Sequence, residues 1–204
     1  VPLMDAAVRE VPTQLTKCTP LALKATAGLR LVGKQASEEI LNGVESMFKK
    51  DYPFAVGSDS AVVMDGKDEG PYAWLTVNFL LGTLNSRQEK TAAIFDMGGG
   101  STQLVFEPDN MDNLAGAPAE NIYQVKLRDT SYKTYQHSHL GYGLKEAGKS
   151  IKRIGKGSKD FVCFPKGHEE KIDDDNVANQ QEGVQDFNGC LAHVDTMLKK
   201  DKPC

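Results

Sequence analysis

Asp96, Ser101, Thr102 and Gln103 stand around three consecutive glycines, Gly98, Gly99 and Gly100, and this set has the chemistry to hold a phosphate and a water. The stretch from Ala92 to Phe106 reads as an apolar strand, an aspartate, a tight glycine turn and a second strand. The apolar run before Asp96 predicts a strand buried on both faces. Glycines carry no Cβ, so the backbone is free to adopt φ > 0 and to approach a ligand closely. Successive amide N–H groups in such a turn suit an anion. A carboxylate at the strand end suits a hard divalent cation, held through waters when the ion is magnesium. Ser101, Thr102 and Gln103 add hydroxyl and amide groups able to bond a phosphate or a water. The same Gly-Gly spacing also marks an ordinary β-hairpin. It is neither a P-loop, which needs a lysine and a following helix, nor a dinucleotide fingerprint, which also opens a helix.

Two further stretches offer groups of the same kind. Leu21 to Gly28 reads as a core strand whose end, Thr26-Ala27-Gly28, is small enough for a ligand or another backbone to come close. Arg30 follows, able to meet a phosphate or to form a structural ion pair with a carboxylate. From Asp68 to Gly82 the pattern is helical, with Pro71 fitting the first turn and Gly82 the stop. Glu69 lies at the start, where the helix dipole favours a carboxylate even without a function. That helix is apolar nearly all round, which predicts burial between layers.

The elements that must position these groups follow from periodicity. Residues 1–17 give a weak helical or connecting pattern. Ile40, Leu41, Val44, Met47 and Phe48 predict an amphipathic helix from Ser37 to Lys50, stopped ahead of Pro53. Val62-Val63-Met64 reads as a short strand and Asp65-Gly66 as a turn. Tyr123, Val125 and Leu127 alternate with polar residues as a half-buried strand, and Ser131 to Leu140 returns as its partner. His137 and His139, two apart, share a strand face that could bind a transition metal, although no third ligand stands nearby. Leu144, Ala147, Ile151 and Ile154 mark a helix whose outer lysines read as a solvated surface. Residues 155–183 read as a long polar loop, and Val184 to Leu198 as a last helix.

The net charge of −4 argues against a nucleic-acid partner or an anionic-membrane surface. No apolar run approaches the roughly 18 residues of a membrane span, so a membrane would be reached only through an anchor outside this chain. The chain opens at Val1 without a methionine, as expected of a processed or excised piece. Cys18, Cys163, Cys190 and Cys204 form no Cys-x-x-Cys pair. Cys163 and Cys190 flank the polar loop, where a disulfide would contribute roughly 3–4 kcal/mol in the chain-entropy model. Cys18 reads as buried and free, and Cys204 as suited to a partner beyond the chain. Several pairings stay open.

Asp96-Met97-Gly98-Gly99-Gly100-Ser101-Thr102-Gln103 resembles the phosphate loop of the apyrases, the nucleoside triphosphate diphosphohydrolases. Ala25-Thr26-Ala27-Gly28-Leu29-Arg30 is similar to their threonine-alanine-glycine motif. Glu69-Gly70, with Trp74 and Asn78 at helical spacing, is similar to a third. Lys24 to Leu31, Asp51 to Phe54 and Ser138 to Glu146 look closest to the fungal Golgi guanosine diphosphatase branch. The resemblance covers most of residues 18–154.

This resemblance implies an α/β, actin-like (ribonuclease H-like) fold of two lobes with nucleotide between them. Residues 1–66 would be the later part of lobe I and 67–204 the start and body of lobe II, with the interlobe helix at about 70–82. The first lobe's own phosphate loop is expected upstream, and the last family motif downstream. The implied activity is hydrolysis of GDP or UDP with a divalent cation (magnesium, manganese or calcium), in the Golgi lumen and in support of glycosylation. Glu69 would be the general base, and Ser101 and Gln103 would orient the water. Thr26, Ala27, Gly28, Gly98, Gly99, Gly100 and Ser101 would bind phosphate, and Asp96 would hold the cation through water. A homo-oligomer is compatible with this picture. The contrasting expectation is a non-catalytic actin-fold module that binds nucleotide, and Glu69 separates the two, because a pure binder has no use for a base.

Overall fold

The computed structural model describes the chain apart from residues 86–88, 128, 156, 157, 159, 175, 176 and 200–204. The described residues form helices α1 (Pro2–Glu10), α2 (Ala27–Leu31), α3 (Lys34–Asp51), α4 (Gly66–Leu81), α5 (Leu144–Ile154) and α6 (Phe187–Leu198), interspersed with β-strands. These are β1 (Leu23–Ala25), β2 (Ala61–Val63), β3 (Ile94–Met97), β4 (Ser101–Phe106), β5 (Ile122–Leu127), β6 (Thr130–Leu140), β7 (Asp160–Phe161), β8 (Glu169–Asp174) and β9 (Val177–Gly183). The chain divides into two compact units, Val1–Leu140 and Gly141–Cys204.

The second unit holds α5, a sheet of order β7-β9-β8, and α6 with Asp186 as its N-cap. Residues 155–183 are therefore not the loop that the sequence suggests. Strands β8 and β9 pair antiparallel from Glu169↔Glu182 to Asp174↔Val177, and β7 adds parallel to β9. Ile172 is the one large apolar residue of β8, so the ladder carries no alternating pattern to betray it. The expected disulfide is formed between Cys163 and Cys190 and ties the segment after β7 to α6. Cys18 is free as expected but exposed rather than buried, its thiol donating to the Leu15 carbonyl in a short 3₁₀ turn. Cys204 lies outside the described residues.

In the first unit, β1 and β2 are parallel neighbours, Leu23↔Ala61 to Ala25↔Val63, with α3 between them in sequence. The second sheet runs β3-β4-β6-β5 and is antiparallel throughout. Strand β3 is its edge, with Phe95 and Met97 exposed, so the expected burial on both faces is not found. The strand expected to run from Leu21 to Gly28 stops at Ala25, and Thr26 turns the chain into α2.

Helix α4 covers β4 and β6 and organises the core. It starts earlier than its proline suggests. Asp65 is the N-cap, its carboxylate accepting from the Lys67 amide at 3.1 Å, so Asp65-Gly66 is a helix start rather than a free turn. Pro71 then lies inside the helix, buried. The side facing the sheet carries Gly66, Gly70, Pro71, Trp74 and Asn78, all buried, while Tyr72, Phe79, Leu80 and Leu81 are exposed. Burial all round is thus corrected to burial of one face. Trp74 packs with Leu84, Val105, Val125 and Tyr132, its ring centroid 5.6 Å from that of Tyr132.

Fully buried Asn78 fastens the end of α4 to the approach to β3. Its Nδ2 donates to the carbonyls of Trp74 and Ala92, both at 3.0 Å, and its Oδ1 accepts from the Ala92 amide at 2.7 Å. The same oxygen accepts from the Thr83 hydroxyl at 2.8 Å. A buried amide satisfied in this way rigidifies what it joins.

Gly70 sets how closely α4 lies on the sheet, since a Cβ there would stand 2.6 Å from Val105 Cγ2 and 3.3 Å from Gln103 Cβ. Gly43, in the middle of α3, has nothing within 4 Å of the same point. Gly70→Ala should therefore lower stability by about 1–3 kcal/mol through overpacking, whereas Gly43→Ala should raise it by up to ~1 kcal/mol through helix propensity. Thermal unfolding of both variants checks this, and a stabilised Gly70→Ala protein would refute the close-packing account.

Candidate functional site

The glycine turn between β3 and β4 is a tight hairpin closed by the Gly98 amide donating to the Ser101 carbonyl at 2.9 Å. None of its glycines adopts φ > 0; among the described residues the glycines that do are Gly33, Gly82, Gly141 and Gly167. Space, rather than torsional freedom, demands glycine here. A Cβ on Gly100 would lie 2.9 Å from Ala27 Cβ and 3.1 Å from Leu31 Cδ1. The turn is thereby seated against α2, so two of the three motifs become neighbours. Ala27 is buried in that contact, whereas Thr26 and Gly28 are exposed beside it. Thr26 is the N-cap residue of α2, yet its side chain makes no capping bond. Gly98 spends its N–H inside the hairpin, which leaves the amides of Gly99 and Gly100 as the turn's donors for an anion.

The third motif arrives through Arg30. From α2 its Nη2 donates to Glu69 Oε2 on α4, in an ion pair whose side chains are only 16% and 17% exposed. Gly66 makes room for it: a Cβ there would fall 2.4 Å from Arg30 Nη1 and 3.0 Å from Ser138 Oγ. Arg30 Nε is buried without a hydrogen-bond partner. Of the two expectations for Arg30, the structural ion pair is the one formed, and its partner is Glu69. The arginine takes one carboxylate oxygen and leaves Oε1 open.

Ser101 and Gln103 are each 1% exposed on the face of β4 that α4 covers, with Gly70 packed against Gln103. Gln103 Nε2 donates to Ser101 Oγ at 2.7 Å and to Ser138 Oγ at 3.0 Å. With both amide protons engaged, its carbonyl is the remaining acceptor, and each serine keeps its own O–H to donate. Asp96 is directly opposite Gln103, and Gln103 directly opposite Ser138, so Asp96, Gln103 and Ser138 form one row across three strands. Cross-strand neighbours share a face.

Asp96 is exposed, and the described residues contain no group of three or more His, Cys, Asp or Glu able to hold a metal. A lone exposed carboxylate beside hydroxyl and amide groups fits a cation that keeps most of its waters, as magnesium does, and not an all-protein cage. His137 and His139 do share a face, their ring centroids 4.2 Å apart, but it is the opposite one, alternating with Ser138. His137 Nδ1 lies 3.2 Å from Asn121 Oδ1. Burial, and then the neighbouring His137, lower the pKa of His139.

The model of the GDA1/CD39 (nucleoside phosphatase) family matches residues 1–204. The chain belongs to this family. Among individual relatives of this GDA1/CD39 chain, the guanosine-diphosphatase of Candida albicans is 48% identical over 155 residues, 75% of this chain and 26% of the relative. That of Saccharomyces cerevisiae is 46% identical over 156 residues, again 75% of this chain and 30% of the relative. An ectonucleoside triphosphate diphosphohydrolase 5 of Bos taurus is 37% identical over 203 residues, 94% of this chain and 47% of the relative. The GDA1/CD39 chain therefore spans less than half the length of each of these relatives.

Sequence reasoning missed two supports of this GDA1/CD39 site. Ser138 reaches it only through the register of β6 on β4, which no local pattern states. Tyr123, read simply as a strand residue, donates its hydroxyl to Asp68 Oδ1 at 3.1 Å and so ties β5 to the first turn of α4. Burial, followed by the Asp68 carboxylate, pushes its phenol up to about 12. A pKa raised by folding gives stability that is whole below the ordinary tyrosine value and is lost as pH rises through the folded one. The wild-type protein should thus lose more stability between about pH 10 and pH 12 than Tyr123→Phe does, measured by denaturant unfolding across that range. Equal losses would remove the Asp68 bond from the account.

Proposed function

We propose that this chain is a section of a metal-dependent nucleoside diphosphatase that converts GDP, and also UDP, to nucleoside monophosphate and phosphate. The reading is supported by one observation above others. Pairwise contacts link the three stretches: Arg30 on α2 pairs with Glu69, Gly70 packs on Gln103, and Gly100 of the glycine turn packs on Ala27. The family membership and the names of the relatives point to the same reaction class.

On this reading the attacking water lies against the open Oε1 of Glu69, which takes its proton as general base. The carbonyl of Gln103 and the hydroxyl of Ser101 orient that water. The new P–O bond forms on the terminal phosphorus as the bond to the bridging oxygen breaks, and the nucleoside monophosphate leaves. Backbone N–H groups of Ala27, Gly28, Gly99 and Gly100, with the Thr26 hydroxyl, donate to phosphate oxygens where charge develops. Asp96 would hold a divalent cation (magnesium, manganese or calcium) through water, and the cation's contribution is to neutralise phosphate charge. The proposal extends to the architecture: an actin-like pair of lobes, residues 1–66 in the first and 67–204 in the second. It places the enzyme in the Golgi lumen, where removing a nucleoside diphosphate supports glycosylation. No helix among the described residues is long and apolar enough to cross a membrane.

The test is phosphate release by the full-length protein from GDP, UDP, ADP and inorganic polyphosphate, with and without EDTA. GDP and UDP should be turned over and EDTA should abolish the reaction. Glu69→Gln should lower kcat by about 100-fold or more while nucleotide Kd changes by only a few-fold. Near-normal turnover by that variant would overturn the mechanism, and binding without turnover in the wild type would favour a non-catalytic nucleotide-binding module.

A further inference from the structure

We propose that Ser138 is a positioning residue of this site, acting through Gln103. The inference rests on the reading of Gln103 as the residue that presents a carbonyl to the attacking water. Gln103 has two amide protons, and the structure gives each an acceptor: Ser101 Oγ along the same strand at 2.7 Å and Ser138 Oγ on the neighbouring strand at 3.0 Å. An amide with both donors fixed in this way can offer only its oxygen elsewhere. Ser101 alone does not enforce that orientation, because one acceptor satisfies one proton and leaves the other to find its own partner.

The register names that alternative partner. Asp96 lies across from Gln103 on the flank opposite Ser138, and an amide N–H is drawn to a carboxylate more strongly than to a hydroxyl. Without Ser138, the second amide proton of Gln103 has Asp96 as its nearest charged acceptor within the row. The amide would then turn its nitrogen, not its oxygen, toward the open side, and Asp96 would lose part of its capacity for a hydrated cation. Ser138 is held for this task. It is half-buried, and its hydroxyl lies 3.0 Å from where a Gly66 Cβ would be, in the space also occupied by the Arg30 guanidinium. It therefore stands where the Gln103 network and the Arg30–Glu69 pair meet.

Steady-state kinetics of the full-length protein on GDP tests this as a double-mutant cycle of Ser138→Ala and Gln103→Ala, with Ser138→Thr as the conservative variant. Ser138→Ala should lower kcat about 10-fold with KM changed less than about 2-fold, and Ser138→Thr, which keeps the hydroxyl, should recover most of the loss. In the Gln103→Ala background, Ser138→Ala should cost less than about 2-fold in kcat, because the group it positions is gone. A similar loss in both backgrounds, or a change confined to KM or to melting temperature, would overturn the proposal while leaving the functional reading intact. An unchanged kcat in Gln103→Ala would overturn both.

Discussion

The close seating of α4 on β4 is the constraint on which the site depends. It is set by two positions where a side chain is missing. At Gly70 the helix backbone comes down onto Val105 and Gln103, and at Gly66 it leaves a slot that the Arg30 guanidinium fills. Overpacking by even one methyl is felt in a close-packed interior, so neither position has slack. Lift α4 by the width of a methyl group and Gly70 leaves Gln103 and Val105 while Arg30 loses its seat. Gly100 repeats the device at the hairpin, where Ala27 and Leu31 occupy the space its Cβ would need. Three residues of minimal size thus bring three separate stretches of chain into one cluster.

The Arg30–Glu69 pair has to be weighed against its cost. Both side chains are largely shielded, Arg30 Nε lacks a partner, and a shielded ion pair contributes little net stability because desolvation offsets the attraction. Removing one partner is another matter, since the survivor is left shielded and unpaired. The pair is therefore better understood as a restraint than as a source of stability. It fixes which carboxylate oxygen faces the cluster, and it locks α2, with the Thr26-Ala27-Gly28 end, to the first turns of α4. Asn78 does the corresponding work at the other end of the helix, where its amide holds the chain entering β3. A helix pinned at both ends can present a carboxylate reproducibly.

What was legible in the sequence was chemistry and local periodicity. Asp96 to Gln103 announced a strand–turn–strand with phosphate-binding groups, and the helices over α3, α5 and α6 followed from their apolar spacing. The paired cysteines flanking a polar segment were legible too, and Cys163–Cys190 is formed. Illegible were features fixed by other parts of the chain. The start of α4 was hidden because Asp65-Gly66 is a turn dipeptide as readily as a cap and first helical residue. The exposed side of α4 is not legible because composition cannot say which of two apolar faces is covered. The β8–β9 hairpin lacks an alternating face, so its pairing is written in the backbone and not in hydropathy. Ser138 shows the same limit at the site itself, since its role is decided by registration with Gln103, 35 residues away.

The charges of the cluster also explain why the proposed reaction would need a cation. Arg30 is the guanidinium that reaches the site, and it is already paired with Glu69. Asp96, exposed and without an ion pair among the described residues, leaves its row of the sheet negative. A diphosphate approaching Asp96 and Glu69 therefore meets repulsion that neutral N–H and O–H donors from the turn and α2 do not cancel, since each supplies only a partial charge. Freeing Arg30 for the phosphate would restore the balance but release the base from its restraint. On the proposed reading, a divalent ion held by Asp96 through water would resolve the conflict, because it would neutralise phosphate while Arg30 stays on Glu69. The separation of tasks between one fixed arginine and one exchangeable cation is what this arrangement of residues favours.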